Sequence, residues 1–360
     1  MNVLATYLTR LLLTRFALLL IGLTAFLLGL DLMVNANSLL QQGDGLEALV
    51  RYAFLRTPVV VSDLIKIASL LAGLLTFASL IRHGELTAIW GAGVSQVGLF
   101  VRLLPVAVLL GGLQFVVDDR AVPVSVDALY DWGVGDYRKP RVTSGSKAVT
   151  WIHVGNDIVR VPTANIGEDS LSDFAIFQRD GDGNLLARLD VAAARYADGV
   201  WELSDIAITG GDGRQQRYEA TREWRIGLDP ESLNQLSSHP RHLSFDQIRR
   251  FAGGDGQGAW APYLYQTWLY EKLIACLVPL LMLFLSAALA QQTQRAGHLE
   301  LLFLFGALIG FAFFIFNGVT LAMGEVGLLP PLFASVVPMI AFTAIAGSVI
   351  YWHELKRRPA

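Results

Sequence analysis

The ionisable side chains inside long apolar segments of this 360-residue sequence include Asp31, Asp63, Lys66, Glu271 and Lys272. A charge inside a membrane is costly, so each of them indicates either a structural pair or a function. Asp63 and Lys66 are three residues apart and share one face of a helix, where they can pair. Lys66 can alternatively reach Asp31 across a helix interface. All five fall toward the same end of their segments.

This cluster has two interpretations. In one, the side chains pair with each other or extend to the lipid head groups. In the other, they form the polar rim of a cavity that accepts an amphiphile with a charged head. The candidate rim residues, including two arginines that precede the second apolar segment, are Asp31, Arg51, Arg56, Asp63, Lys66 and Lys272. An ion-coupled carrier needs acids near the middle of the membrane, and the sequence places none there.

A polar stretch between two apolar segments, from Ile81 to Gln96, has the composition of a structured element. Residues Glu85 to Trp90 are good helix formers over about one and a half turns, and Gly91 and Gly93 end the pattern. A short helix at this place can receive force from a soluble partner and pass it into the membrane. The alternative is an ordinary turn between two spans.

The sequence has no motif that indicates catalysis. It contains no P-loop, no H-E-x-x-H and no G-x-S-x-G, and the serines and lysine of residues 143–147 lie in a loop without a helix to set their spacing. A single cysteine, Cys276, excludes an intramolecular disulfide and a thiolate metal cluster. We predict that the chain is not an enzyme and that it binds no cofactor or metal of its own.

Composition identifies an integral membrane protein. Hydrophobic residues make up 53% and charged residues 16% of the chain, whereas soluble domains carry about 25% charged residues. The net charge of −3 disfavours a nucleic-acid partner. Six apolar runs are long enough to cross about 30 Å of hydrocarbon. Between the first two we expect a polar connection over residues 35–56. The six runs are residues 16–34, 58–81, 97–117, 263–290, 299–323 and 332–352.

The region from Asp118 to Gly258 differs from its surroundings, because its charges are frequent and its apolar runs are short. Alternating segments such as Val149–Val154 are separated by turns rich in Gly, Asp and Asn, which is typical of antiparallel sheets. We therefore predict an all-β domain of the sandwich or jellyroll type. It ends in a helix over Ser244–Arg250, which Ser244 caps, and in a flexible glycine-rich run.

The predicted organisation is thus six transmembrane helices in a 3+3 arrangement around an inserted β domain. Its parts are residues 1–117 with a short helix at about 82–95, the β domain at 118–258, and the last three spans at 259–360. The loops on the side of both termini hold seven basic residues, whereas the opposite short loops hold Arg51 and Arg56. By the positive-inside rule, both termini are cytoplasmic and the β domain lies outside.

The ordered set of motifs resembles the LptF/LptG (YjgP/YjgQ) family of lipopolysaccharide export ABC transporter permeases. The resemblance covers nearly the whole chain. It rests on GELTAIWGAGVS at 84–95, WIHVGNDIVRV at 151–161, HLSFDQIRRF at 242–251 and GLLPPLFASVVP at 327–338. The GLLPP segment favours the LptG-like branch over the LptF-like one.

This resemblance implies a permease subunit in the inner membrane of a Gram-negative bacterium. Paired with an LptF-like second permease, it would extract lipopolysaccharide from the outer leaflet and pass it to a jellyroll bridge of LptC-like and LptA-like proteins. An LptB-like ATPase dimer would supply ATP and Mg²⁺ chemistry. Residues 81–96 would be the coupling helix. Its ATPase contacts would be Arg82, Glu85, Leu86, Ala88 and Ile89.

One departure from the family pattern concerns the outer end of the first span, where LptG-like proteins carry basic residues that meet lipid A phosphates. Here Asp31 occupies that turn, so Lys66 would supply the charge, with Arg51, Arg56 and Lys272 as weaker candidates. A lipid A with altered or absent phosphates would suit such an acidic rim. The alternative function is a membrane-anchored periplasmic scaffold or binding protein without transport activity.

Overall fold

The computed structural model describes most of the chain and divides it into two compact units. The helical unit is Met1–Tyr137 with Tyr270–Ala360, and the β unit is Arg138–Leu269. The described residues are 3–40, 45–134, 137, 149–162, 165, 169–211, 213, 216–225, 239–253, 260–293 and 299–355. The predicted basic positions Arg295, Lys356, Arg357 and Arg358, and most of the glycine-rich run at 253–258, lie outside these residues.

Long apolar helices dominate the described chain, as expected for an integral membrane protein. Five of them are long and apolar enough to cross a membrane, and the bent pair α7–α8, with an angle of 51° between its halves, makes a sixth if it crosses as one. The helices before the sheet are α1 (Val3–Leu40), α2 (Gly45–Arg82), α3 (Glu85–Gly91), α4 (Gln96–Val116) and α5 (Val122–Trp132). Those after the sheet are α6 (Phe245–Gly253), α7 (Pro262–Ala275), α8 (Val278–Thr293), α9 (Leu299–Glu325) and α10 (Pro331–Leu355).

The first two helices are longer than the apolar runs predict. The expected polar connection over residues 35–56 is wrong, because α1 continues to Leu40 and α2 begins at Gly45. Polar side chains in this part bond within their own helix, as when Asn35 Nδ2 donates to the Asp31 carbonyl at 3.0 Å. Pro58 lies inside α2, where a proline usually breaks a helix. Packing on both sides of it overrides that local cost.

A second difference concerns the predicted start of the β domain at Asp118. Residues Val117–Ala121 form a π-helical turn that leads directly into α5, which belongs to the helical unit. The buried side chains Val122, Val126 and Leu129 recur at helical spacing and pack with α1 and α2 residues. Nearby acidic residues gave this segment the composition of a soluble domain, although one face of it is apolar.

At the centre of the helical unit lies α2, which is far more buried than α1. Small residues allow close approach of its neighbours. A Cβ placed on Gly73 of α2 would lie 2.2 Å from Ser286 Oγ of α8, and one placed on Gly111 of α4 would lie 2.2 Å from the Cys276 carbonyl oxygen. Gly111 therefore packs directly against the break between α7 and α8.

The β unit contains one six-stranded antiparallel sheet in sequence order, which confirms the predicted inserted β domain. Within the described residues the strands form a single meander rather than two packed sheets. The turn at Asp198 and Gly199 has positive φ at both residues, which suits a tight hairpin. The strands are β1 (Val149–Val154), β2 (Asp157–Pro162), β3 (Ser170–Arg179), β4 (Leu185–Ala197), β5 (Val200–Gly210) and β6 (Gln216–Trp224).

One face of the sheet is the core of this unit. Ile152, Val159, Ile176 and Leu189 lie directly opposite one another across β1 to β4, and all are buried. Side chains of α6 join the same cluster.

The helix predicted over Ser244–Arg250 is present as α6, and so is its cap. The Gln247 amide donates to Ser244 Oγ at 3.3 Å, and the Ser244 amide donates to Gln247 Oε1 at 2.7 Å. This reciprocal pair is a capping box.

The turn between β3 and β4 is held by a carboxylate. Asp180 Oδ1 accepts from the amides of Asp182 at 3.0 Å and Asn184 at 2.8 Å, and Asp180 Oδ2 accepts from Asn184 Nδ2 at 3.0 Å. Because these bonds favour the ionised form, they hold the pKa of Asp180 below its ordinary value, with the side chain of Asn184 as the largest cause.

Candidate sites at the two ends of the helical unit

Asp31 forms an ion pair at one end of the helical unit. Its Oδ2 lies 2.9 Å from Arg56 Nε and accepts from the Tyr52 hydroxyl at 3.1 Å. Arg56 also donates to the hydroxyl of Tyr137. The sequence offered Lys66 as an alternative partner of Asp31, but the cation that pairs with Asp31 is Arg56, which lies earlier on α2. This network connects α1, α2 and Tyr137.

A second pair lies deeper and links α2 to the half-helix α7. Lys66 Nζ is 3.7 Å from Glu271 Oε1, and the side chain of Glu271 is only 6% exposed. Asn317 on α9 donates to the same Oε1 at 3.5 Å. Glu271 Oε2 is buried without a hydrogen-bond partner among the described residues. Asp63, the other predicted partner of Lys66, is exposed.

Lys272, one of the predicted rim residues, is buried. Its side chain is 5% exposed, and Nζ donates to the Asp118 carbonyl at 2.8 Å and lies 3.8 Å from Asp119 Oδ1. The Asp118 carboxylate accepts from Gln114 Nε2 at 2.7 Å and from the Ser62 hydroxyl. Because its ammonium group is used internally, Lys272 is a structural residue that holds α7 to the π turn.

Two arginines at this end are more accessible. Arg51 is exposed and its guanidinium lies 4.6 Å from the centre of the Trp132 ring. Arg120 on the π turn has a side chain that is 85% exposed, with Nε 3.6 Å from Asp119 Oδ2. The exposed Arg51 and Arg120 can therefore meet an external anion, whereas the ammonium groups of Lys66 and Lys272 are engaged in internal pairs.

At the opposite end of the antiparallel pair α1–α2, residues Glu85–Gly91 form the predicted short helix α3. Glu85 Oε2 accepts from the Tyr7 hydroxyl of α1 at 2.9 Å. Arg82 and Ala88 are exposed, and Ile89 is half-buried against the core. Leu86 is only 1% exposed and belongs to the core of the helical unit. Among the predicted ATPase-contact residues, Leu86 is the one whose side chain is buried within this chain, where it anchors α3.

The sequence model described as "Lipopolysaccharide export system permease LptF/LptG" matches residues 6–352. The chain belongs to the LptF/LptG family. It is also similar to the "Lipopolysaccharide export system permease protein LptG" of Haemophilus influenzae, with 20% identity over 317 residues, or 86% of each chain. The family fold expected from the sequence motifs, with membrane helices around an inserted sheet, is confirmed.

In this LptF/LptG permease, several residues that contribute hydrogen bonds or charges at the two ends of the helical unit were not predicted from the sequence. Tyr7 lies 78 positions from its partner Glu85. Arg120 was assigned to the β domain, because Asp118 and Asp119 precede it. Gln114 and Asn317 are amides in otherwise apolar runs, which was the available signal.

Proposed function

We propose that this LptF/LptG-family chain is an LptG-like permease subunit of an ATP-driven exporter. It extracts lipopolysaccharide from the outer leaflet of the inner membrane and delivers it to a periplasmic jellyroll bridge. The observation that carries this proposal is α3, a short helix between two spans with a Glu85 carboxylate at its start. The similarity to the LptG permease of Haemophilus influenzae supports the LptG-like assignment.

In this proposal α3 transmits movement of an LptB-like ATPase dimer, which binds ATP and Mg²⁺. Arg82, Glu85, Ala88 and Ile89 form the contact surface. Leu86 is buried in a cluster that also contains side chains of α1, α2, α4 and α8. A push on α3 therefore reaches the core of the helical unit through a packed side chain, since close-packed interiors transmit displacement.

At the other end, the lipid head group meets a rim whose cations differ in accessibility. Arg51 and Arg120 are exposed and offer guanidinium groups to phosphate, which Arg binds well. Arg56, Lys66, Asp31 and Asp63 line the rim behind them. An LptF-like second permease closes the cavity, and the apolar face of α1 is accessible to it.

For the handover, both edges of the described sheet are available. Among the described strands, β1 pairs with β2 alone and β6 pairs with β5 alone. Edge strands can add a strand of a neighbouring protein. The β domain in this proposal is periplasmic, both termini are cytoplasmic, and an edge strand joins LptC-like and LptA-like jellyroll proteins.

The test is co-purification from detergent with Glu85→Lys. We expect the intact chain to retain an ATPase and a second permease, and the variant to retain the permease but lose the ATPase, because reversal places a cation against the cation that Glu85 binds. Glu47→Lys, at the opposite end of α2, is the matched control and leaves the ATPase bound. If the intact chain brings down neither partner, the periplasmic scaffold becomes the better description.

A further inference from the structure

The orientation of α3 depends on contacts from outside its own sequence. This helix has seven residues and its preceding residue, Gly84, adopts φ 71° without a side-chain cap. Leu86 is its one fully buried side chain, whereas Ala88 and Gly91 are exposed. The apolar side of α3 is fixed by Leu86 together with the partly buried Ile89 and Trp90, so what a contact from outside the helix can set is the direction of the polar side chain at its start, Glu85.

Tyr7 supplies that contact. Its hydroxyl donates to Glu85 Oε2 at 2.9 Å across 78 positions of sequence. The ring is carried by α1, whose neighbouring residues Leu4 and Leu8 pack into the same core as Leu86. Arg15, two turns further along α1, donates to the Leu75 carbonyl of α2. The hydroxyl is thus held in place by a helix that is itself attached to the core.

We propose that Tyr7 is a positioning residue that orients the Glu85 carboxylate for a cationic side chain of the ATPase. The phenol uses Oε2 and fixes the side-chain rotamer, which leaves Oε1 to accept from a guanidinium or ammonium group. Binding then costs less side-chain entropy, because the carboxylate is ordered before the partner arrives. This inference rests on the proposed role of α3 as the coupling helix.

The experiment is a titration of the purified LptB-like ATPase onto the complete permease pair in lipid nanodiscs. We expect Tyr7→Phe to weaken binding by about threefold to fivefold, as for loss of one exposed polar contact. Tyr351→Phe, another exposed tyrosine of the helical unit, is the matched control and leaves the dissociation constant unchanged.

Repeating the titration in a Glu85→Ala background separates positioning from a general packing effect. If Tyr7 acts through Glu85, then Tyr7→Phe has no further effect there. An equal loss in both backgrounds, or a Tyr7→Phe dissociation constant within the error of the Tyr351→Phe control, overturns the inference. If Glu85→Lys leaves ATPase binding intact, both the proposed coupling role of α3 and the role of Tyr7 are refuted. If Glu85→Lys abolishes ATPase binding but Tyr7→Phe has no effect, only the role of Tyr7 is refuted.

Discussion

Glu271 shows how a buried charge constrains the helices around it. One of its oxygens faces Lys66 and Asn317, and the other is buried without a hydrogen-bond partner among the described residues. The ionised Glu271 side chain is stable there only while its cationic partner remains, because a buried charge without a partner is far more costly than a buried ion pair. We interpret the pair as a specific link between α2 and α7.

A prediction follows for the Lys66 and Glu271 pair. Lys66→Met alone should lower the free energy of unfolding by about 3–5 kcal/mol, since it leaves the Glu271 carboxylate uncompensated. The double variant Lys66→Met with Glu271→Gln should recover most of that loss, because no charge remains buried. Thermal unfolding in detergent of the single and double variants measures both. A double variant as unstable as the sum of the single variants would contradict this explanation.

At the scale of elements, a glycine of α4 packs against the break between α7 and α8. A Cβ on Gly111 would lie 2.2 Å from the Cys276 carbonyl oxygen, whereas a Cβ on the next residue, Gly112, would meet nothing within 4 Å. Backbone atoms at this contact have no flexible end that can move aside. The approach of α4 to the break therefore depends on the absence of a side chain.

Alanine substitution of the two adjacent glycines tests this contact. Gly111→Ala should destabilise the protein by about 1–3 kcal/mol, because α4 must move away from the break. Gly112→Ala should be neutral or slightly stabilising, since alanine favours a helix over glycine. Comparing the Tm of the two variants gives the result. Equal melting temperatures would mean that the contact is looser than described.

Local patterns predicted the elements whose determinants lie close together in sequence. The helix α3, the capping box at Ser244 and the hairpin turns all belong to this group. The lengths of α1 and α2 were not predictable in this way, because polar residues and Pro58 favour an end that tertiary packing overrides. Partners such as Tyr7 and Glu85, or Lys66 and Glu271, are set by helix packing and have no local signal.

At the scale of the whole molecule, the proposed orientation can be tested by cysteine accessibility. In a Cys276→Ser background, Tyr218→Cys on the exposed side of β6 should react with a membrane-impermeant maleimide while the inner membrane is intact. Ala88→Cys on the exposed side of α3 should react only after that membrane is broken. Labelling of Ala88→Cys in cells with an intact inner membrane would reverse the assigned sides.

The sequence order of the sheet has a consequence for biosynthesis. Each strand pairs with the strand made immediately before it, so every hairpin closes over a short loop and carries a small entropic cost. The sheet can assemble while the ribosome is still producing the later helices. Its apolar face is then covered by α6 and by Tyr265, Trp268 and Leu269 of α7, which come later in the chain. In contrast, the contacts of α7 reach in both directions along the chain, because Lys66 and Asp118 are synthesised before it and Asn317 of α9 is synthesised after it.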